Sequence, residues 1–442
     1  MAAPPYIYNE ASSVLTKQPR FDLESIISNY KGRTIYQRLL LIGVNSTVLG
    51  VEALKAAISD AKNGKDIQRY LGAQSVLETI APQEPEANKD IEWISYIERM
   101  VQMETQRLEA ELKQYKNNLI KESIRMGNED LGRHYQAIGD LTKAYDAFNR
   151  MRQEANLPRH ILDVSYHLIE VSVEQKNWIS VVSNVQKIKQ VITSSEGDRA
   201  LQPFLCAVEG LANLDAGKFL NAATCFLNAE SGMGQKFNTV LIANDIAIYG
   251  GLCALATLER RELETKVLKN SNFRTYLELE PHIRRAITYF INGRYSNCLG
   301  ILETYHTDYS LDLYLHSHIN EIYCLIRKKS IVHYLIPFSC VSIDSLAKVF
   351  VSPGQDIEKE LINMIKCKDI DARIDTQNRL LISVPFLPRH SLQKYTLDMA
   401  NGYENEARLR LLNINICSAE LEVRSQNSDV NIMDDEFDTI IG

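Results

Sequence analysis

The chain has 442 residues, of which 45% are hydrophobic and 24% are charged, a composition typical of soluble globular proteins. The formal net charge of -7 excludes a general electrostatic attraction to phosphate backbones or anionic lipid. The eight cysteines are scattered, lie mostly among apolar neighbours and form no C-x-x-C pair, which argues against a disulfide framework or a zinc cluster. We therefore expect reduced core thiols and a location in the cytoplasm and nucleus.

Helical periodicity dominates about the first three quarters of the chain. Residues 1–20 are rich in Pro and Ser and are expected to be flexible, and they lack the basic and apolar regions of a secretory signal. From Phe21 to about Lys329, apolar residues recur at spacings of three and four, which predicts amphipathic helices. One long helix is predicted from Ile91 to Met126.

A helical hairpin then recurs along the chain. Short polar turns join its two apolar-periodic segments, at Gly139-Asp140, Lys176-Asn177, Gly217-Lys218 and Gly293-Arg294. These turns lie 37, 41 and 76 residues apart, so the repeat is irregular and about 40 residues long. Ala144 and Phe148 in one copy, and Ala222 and Phe226 in another, are predicted to face inward. Such hairpins bury their apolar faces only against neighbours, which predicts a TPR-like solenoid.

The stretch from Val240 to Leu258 has the length of a membrane span. It contains Asn244, Asp245 and a Gly-Gly pair, and a charged residue in mid-membrane is costly. We therefore expect a buried helix hairpin here and no membrane partner.

The periodicity beyond the repeats predicts two further helices. Ile343, Leu346 and Phe350 lie on one face of the first, and Ser342 is its expected N-cap. Residues 356–371 form the second. The run "RKK" (327–329) just before them is expected to end a helix, where cations complement the helix dipole.

The period then changes to that of strands. Residues 372–384 predict a β-hairpin with a turn at Gln377-Asn378, and Leu380 and Ile382 alternate along its second strand. Helix, helix and hairpin is the outline of a winged helix. A last helix is predicted from about Ser391 to Glu422.

The predicted fold is therefore mostly α-helical. In order, it comprises a flexible N-terminus (1–20), a helical-repeat solenoid (21–310), a winged-helix region (311–388), a C-terminal helix (389–424) and a disordered acidic tail (425–442). The tail has no lysine or arginine. The alternative to a disordered tail is a short docking peptide for a basic groove. This alternative rests on the apolar residues that are interleaved with the acids: Ile432, Met433, Phe437, Ile440 and Ile441.

Winged helices often bind DNA, which requires basic residues on the helix that enters the major groove. The segment 356–371 carries more acids than bases: Asp356, Glu358, Glu360, Asp369 and Asp371 against Lys359, Lys366 and Lys368. The sequence favours protein docking through a strand edge over nucleic-acid binding.

His316 and His318 form a His-x-His pair of the kind found in JAMM metalloproteases. That motif would also require Ser at position 326 and Asp at position 329, where this chain has Ile326 and Lys329. The surrounding periodicity predicts a helix, on which residues two apart point in different directions. We therefore predict no metal site, with one histidine packed or contacting a loop and the other solvated.

Other catalytic patterns are missing from the sequence. The chain has no G-x-x-x-x-G-K-[ST], G-x-G-x-x-G, G-x-S-x-G or H-E-x-x-H motif, and its nine histidines do not cluster. We predict that the chain is not an enzyme and needs no cofactor.

Helical repeats followed by a winged helix resemble the layout of PCI-domain proteins, which are scaffold subunits of the COP nine signalosome, the proteasome lid and the translation initiation factor three complex. Several blocks resemble the first-subunit family of the signalosome, in that family's order: residues 112–148, 246–263, 273–281, 294–303, 313–338 and 372–378. The likeness covers about residues 90–415. A proteasome-lid paralogue shares the layout, but the blocks "YGGLCALATL" and "ARID" favour the signalosome.

The resemblance implies a non-catalytic scaffold role. The signalosome removes Nedd8 from cullin-RING ubiquitin ligases, and its zinc chemistry resides in a different, JAMM-containing subunit. The implied partners are that subunit and the other PCI subunits. The resemblance leaves open whether this chain contacts cullin-RING ligases.

The same resemblance implies two interfaces. Winged helices in this family pair edge to edge, and this role is carried to the hairpin residues Arg373, Ile374, Asp375, Leu380, Leu381, Ile382 and Ser383. The C-terminal helix would join a bundle of the subunits' last helices through the apolar series Leu397, Ala400, Ala407, Leu411 and Ile414. The helical spacing of that series fits a bundle interface, although a face packed on its own domain would have the same pattern.

Overall fold

The computed structural model describes residues 19–118, 121–155, 157–191, 201–230, 232, 238–350, 357–384 and 388–419. The chain divides into two compact units. The first comprises Met1–Pro337 and Ser342–Ile370, and the second comprises Phe338–Val341 and Asp371–Gly442. The predicted flexible N-terminus, up to residue 18, and the predicted acidic tail lie outside the described residues.

The described part of the first unit is built almost entirely from helices. In chain order they are α1 (Leu23–Asn29), α2 (Arg33–Asn45), α3 (Gly50–Asn63), α4 (Ile67–Ile80), a 3₁₀ turn (Pro85–Ala87), α5 (Ile91–Asn117), α6 (Lys121–Ile138), α7 (Leu141–Gln153), α8 (Pro158–Glu174), α9 (Trp178–Val191), α10 (Gln202–Asp215), α11 (Phe219–Leu227), α12 (Ala243–Thr257), α13 (Arg260–Glu262), a π-helical segment (Leu263–Leu268), α14 (Ser271–Leu279), α15 (Pro281–Ile291), α16 (Tyr295–Ser310), α17 (Ile319–Leu335), α18 (Ile343–Phe350) and α19 (Ile357–Lys366).

The second unit contains a small sheet and one long helix. Its strands are β1 (Cys340–Ser342, whose last residue belongs to the first unit), β2 (Ala372–Asp375) and β3 (Leu380–Ser383), followed by α20 (Pro388–Ser418). The predicted mostly α-helical fold, with a helical solenoid, a winged-helix region and a C-terminal helix, is confirmed. Strand β1 was not predicted from the sequence.

The four predicted hairpin turns are confirmed, and all four end the preceding helix in the same way. The turn residues Gly139, Lys176, Gly217 and Gly293 have positive φ angles between 56° and 99°. The next residue's amide donates to the carbonyl five positions earlier at 2.8–3.0 Å, as in Asp140 to Tyr135. This is the Schellman arrangement, which satisfies helix-end carbonyls and reverses the chain.

Close packing of paired helices depends on small residues at repeated positions. Ala144 and Ala222 are fully buried, as predicted, and so are the aromatic rings of Phe148 and Phe226. Seven residues before each turn glycine lies a second glycine, Gly132 or Gly210. A Cβ there would come within 2.6 Å of the Phe148 ring or 2.8 Å of the Phe226 ring. The glycines therefore provide the space that each ring occupies.

The segment resembling a membrane span is a single buried helix, so the predicted hairpin is wrong. Helix α12 is apolar on every side because neighbouring helices surround it, and Gly250 and Gly251 lie against Phe273 and Ile283. Among the described helices, none is both long and apolar enough to cross a membrane.

Three other predictions about helices and thiols need correction. The long helix predicted from Ile91 to Met126 is two helices, α5 and α6, which pack on each other. The "RKK" run does not end a helix, since α17 continues to Leu335. Lys329 instead donates to the carbonyl of Leu255 at 2.8 Å and to that of Leu258, so it caps the end of α12.

The prediction that the cysteines are core thiols holds for only half of them. Four cysteines are exposed: Cys324, Cys340, Cys367 and Cys417.

The two helices predicted after the repeats are confirmed. Ile343, Leu346 and Phe350 are buried along α18, and Ile357, Leu361 and Met364 are buried along α19.

The predicted hairpin is present, but the predicted face of its second strand is wrong. Leu381 is 3% exposed whereas Ile382 is 42% exposed. Leu381 pairs with Ile374 across the hairpin, so these two side chains share a face. Because Leu380, Leu381 and Ile382 are all apolar, strand alternation is equally consistent with Leu381 facing inward or with Leu380 and Ile382 facing inward. The sequence alone therefore does not decide which face of β3 is buried.

We expect Gly210→Ala to destabilise the first unit by about 1–3 kcal/mol, because the added methyl group collides with the Phe226 ring. The matched control is Gly300→Ala on α16, where an added Cβ meets no atom within 4 Å. That change should stabilise by roughly 0.5–1 kcal/mol through helix propensity. Thermal unfolding followed by circular dichroism measures both, and equal shifts of the two midpoints would contradict the packing argument.

Candidate interaction surfaces and the buried polar centre

A buried cluster of charged and phenolic side chains joins three distant parts of the first unit. Arg38 on α2 donates to Asp312 at 2.6 Å and to Asp245 on α12 at 3.2 Å. The Tyr249 hydroxyl donates to Asp312 at 2.7 Å, and the Tyr30 hydroxyl donates to Asp245 at 2.7 Å. One guanidinium group therefore ties the N-terminal helices to α12 and to the turn before α17.

The two carboxyl groups around Arg38 differ in their electrostatics. Burial raises the pKa of Asp245 to about 6, even though Arg38 opposes that shift. Burial also acts on Asp312, but the Arg38 charge and the hydrogen bonds to this carboxylate outweigh it and lower its pKa. Asp312 accepts two further hydrogen bonds, from the amides of Tyr314 and Leu315. Asp312 is thus the main counter-ion of Arg38.

A second arginine of α2 contacts the first repeat. Arg33 pairs with Asp66 at 2.7 Å and donates to the carbonyl of Gln136 at 2.9 Å. A Cβ at Gly139 would lie 2.3 Å from an Asp66 oxygen, so this turn also needs glycine for close approach. Arg33 Nε lies 3.5 Å from Glu174 at the end of α8. Helix α2 thereby contacts the first two repeats.

His316 and His318 lie in a segment of turns, and each contacts a different neighbour. Residues 311–318 form turns, so the helix predicted there begins only at Ile319. The imidazole Nδ1 of His316 lies 2.8 Å from the Ser310 carbonyl, and the His318 ring packs edge-on against Phe219. Both histidines are partly buried, so the expectation that one is solvated is wrong. In the described part of the chain, no group of three or more His, Cys, Asp or Glu side chains could hold a metal ion.

The sheet order decides which hairpin strand offers a free edge. The order is β1-β3-β2, so β3 (Leu380–Ser383) lies in the middle, and Ser383 donates to the Ser339 carbonyl at 2.9 Å. β2, with Arg373, Ile374 and Asp375, is an edge strand. Backbone pairing with another protein is therefore available to β2, whereas β3 can contribute only side chains. The interface role of these residues stays a prediction.

The C-terminal helix displays the apolar residues that the sequence singled out. Leu397, Leu411 and Ile414 are each at least 60% exposed, Ala400 is exposed and Ala407 is half-buried. Water-exposed leucine and isoleucine at helical spacing are typical of a docking face. The bundle role assigned to these residues also stays a prediction.

A further apolar series on α20 was missed in the sequence. Leu392, Tyr395, Met399 and Tyr403 are all more than half exposed, and they follow one another at spacings of three, four and four. This spacing places them on one face, so the same periodicity rule would have found them. Arg33 and Arg38 were missed as well, and no sequence signal indicates their partners because those lie up to 274 positions away.

We expect Arg38→Leu to destabilise the first unit by about 3–5 kcal/mol, since it leaves two buried carboxylates without a counter-ion. The triple variant Arg38→Leu, Asp245→Asn, Asp312→Asn should recover part of this loss because no buried charge remains. Chemical unfolding monitored by fluorescence measures both. A triple variant less stable than the single one would contradict this account.

Glu174 generates a pH prediction. Burial raises its pKa to about 7, and one of its carboxylate oxygens accepts no hydrogen bond among the described residues. The folded state therefore binds this proton more tightly than the unfolded state, so stability should fall as pH rises from about 4.5 to 7. In Glu174→Gln the part of this decrease that comes from Glu174, up to about 3 kcal/mol, should disappear, so the stability of the variant should fall less steeply with pH, while the acceptor for Gln136 is retained. Unfolding midpoints between pH 5 and 8 test this, with exposed Glu321→Gln expected to follow the parent chain.

Comparison with known proteins agrees with this architecture. The family model described as 26S proteasome subunit RPN7 matches residues 90–266, and the PCI domain model matches residues 302–383. COP9 signalosome complex subunit 1 of Emericella nidulans is 48% identical over 93% of this chain and 85% of its own length. The Arabidopsis thaliana protein of the same name is 35% identical, over 93% of both chains. The 26S proteasome non-ATPase regulatory subunit 6 of Caenorhabditis elegans is 23% identical over 62% of this chain. By sequence and by architecture, this chain belongs to the COP9 signalosome subunit 1 family.

Proposed function

We propose that the chain is a non-catalytic scaffold subunit of a signalosome that removes Nedd8 from cullin-RING ubiquitin ligases. Its partners would be the other PCI subunits and the JAMM-containing catalytic subunit, and it would act in the cytoplasm and nucleus without a cofactor. A cullin-RING ligase would be a further direct partner.

The observation that carries the proposal is the surface of α20. Leu392, Tyr395, Met399 and Tyr403 form one exposed apolar face, and Leu397, Leu411 and Ile414 add a second. A helix of this length that leaves so many large apolar side chains in water fits a chain that completes its packing in an assembly. The free edge of β2 offers a separate route to a partner's sheet.

A proteasome-lid subunit is the second candidate, because the RPN7 family model matches residues 90–266. The signalosome relatives are more similar and match over a larger share of the chain. At 48% and 35% identity over 93% of the chain, they exceed the proteasome relative, at 23% over 62%. We therefore favour the signalosome.

Affinity purification of the tagged full chain from its own cells, followed by native mass spectrometry, separates the two candidates. Recovery with a JAMM subunit and several PCI proteins, without ATPases, is the expected result. Recovery with the ATPases of the proteasome base would move the chain to the lid. Recovery of a lone monomer would overturn the scaffold proposal.

The role of α20 makes a separate prediction. Leu397→Glu with Leu411→Glu should reduce recovery of partner subunits at least tenfold, because two charges would enter an apolar interface. Both residues are exposed in the isolated chain, so its thermal unfolding midpoint should change little. Asn413→Glu is the matched control and should leave recovery unchanged, because Asn413 is exposed and lies on the opposite side of the helix from Leu397 and Leu411. Equal recovery of all three proteins would show that this face of α20 is not an interface.

A further inference from the structure

A cavity of about 300 Å³ in the first unit has a mostly apolar wall. Phe21, Ile26, Ile242 and Ile248 line it, and each of these side chains is only half-buried. The volume is that of about ten water molecules at roughly 30 Å³ each. An apolar cavity is a poor site for water, so filling it with further apolar side chains would be favourable.

Helix α1 forms part of this wall and is poorly covered. Ser25, Ile26 and Asn29 of this helix line the cavity. None of the seven residues of α1 is fully buried, and Ile27 is 45% exposed. A helix this short is not stable by itself and depends on packing against other segments. Helix α1 therefore has surface that a further segment of the protein could cover.

The chain enters the described part of the structure beside this cavity. Pro19 is buried, and the next two residues, Arg20 and Phe21, line the cavity. The Arg20 amide donates to the carboxylate of Asp308, another lining residue, at 2.9 Å. Residues 14–17 lie at most six positions before Arg20, so even an extended chain keeps them within about 20 Å of it. The segment before Pro19 can therefore reach the cavity.

The residues just before Pro19 match the cavity in polarity and in charge. Val14 and Leu15 are the nearest large apolar residues on that side, and Lys17 is the only charged residue between positions 11 and 18. The lining carries four carboxylates against two arginines and one histidine, and Arg38 is already paired with two of the carboxylates. A segment with two apolar side chains and one cation therefore complements this wall.

We propose that residues 14–17 of this chain fold back beside α1, and that the side chains of Val14 and Leu15 fill the cavity. Lys17 would lie near Asp308, whose carboxylate already binds the Arg20 amide. The segment would complete the packing of α1 and close the cavity to any other occupant. The inference concerns the first unit alone, so it does not depend on the scaffold proposal.

The first test compares two doubly acidic variants of the full chain. Val14→Asp with Leu15→Asp would place two charges in an apolar cavity, which is unfavourable enough to release the segment. Ser12→Asp with Ser13→Asp is the matched control, since it adds the same charge at polar positions of the same segment. Hydrogen exchange followed by mass spectrometry measures the protection of α1. We expect exchange of Leu23–Asn29 to be at least fivefold faster than in the parent chain for the first variant, and within twofold of the parent for the control.

Disulfide capture tests the position of Leu15 directly. Leu15→Cys is combined with Ile248→Cys on the cavity wall or, as the control, with Leu279→Cys, which is 49% exposed and adjoins the lining residue Glu280 but is not itself part of the lining. A disulfide needs Cα atoms within about 7 Å of each other, so mild oxidation should link position 15 to position 248 at least tenfold more than to position 279. Mass spectrometry maps the links, and Leu15→Cys alone gives the background from the native cysteines. Thermal unfolding establishes that each variant is folded.

The two measurements give distinct outcomes. Faster exchange of α1 in the first acidic variant alone, together with preferential capture at position 248, supports the proposal. Equal exchange of α1 in the two acidic variants would show that Val14 and Leu15 do not cover this helix. Capture at position 248 that does not exceed capture at position 279 would leave the cavity to another occupant, a partner's side chain or a small molecule. Either of these last two results overturns the proposal.

Discussion

The arrangement of the first unit depends on Arg38, a fully buried cation held by two carboxylates from distant parts of the chain. A guanidinium group without those carboxylates would be very costly to bury, and the carboxylates would be equally costly without it. The N-terminal helices can therefore reach their packed position only when α12 and the turn before α17 are also in place. Arg33 adds a second contact of the same kind to the first repeat, 103 positions away from its acceptor Gln136. These two residues make α2 a common support for repeats that otherwise touch only their neighbours.

Within the repeats, stability comes from a different source. Each of the four hairpins closes with the same Schellman turn, and in two of them the ring nine residues after the turn glycine fits against a glycine of the preceding helix, Phe148 against Gly132 and Phe226 against Gly210. These contacts are local and apolar, so each can be lost without exposing a charge. The Arg38 cluster is long-range and polar, and removing a single member leaves others unpaired. The solenoid thus combines replaceable local packing with a less tolerant polar centre.

The second unit has the opposite balance of buried and exposed surface. Its sheet buries Leu381 and Ala372, whereas α20 exposes most of its large apolar side chains to water. Covering the free edge of β2 and the apolar faces of α20 with a partner would be favourable, because it would pair backbone groups and remove apolar surface from water. Membership of the COP9 signalosome subunit 1 family gives this exposure a consistent interpretation, since the family name itself describes one member of a complex.

The sequence by itself determined the helical class, the four hairpin turns, their inward alanines and phenylalanines, the two winged-helix helices and the β-hairpin. All of these follow from local periodicity and turn chemistry, which act over a few residues. Tertiary structure decided the break between α5 and α6, the single helix at Ala243–Thr257, the inward face of β3 and the role of Lys329 as a cap. It also decided the partners of Arg33 and Arg38. In each case either two local structures fitted the sequence pattern equally well, or the interaction partner lay far away in the sequence. Only the packing of distant segments against one another could then determine the structure.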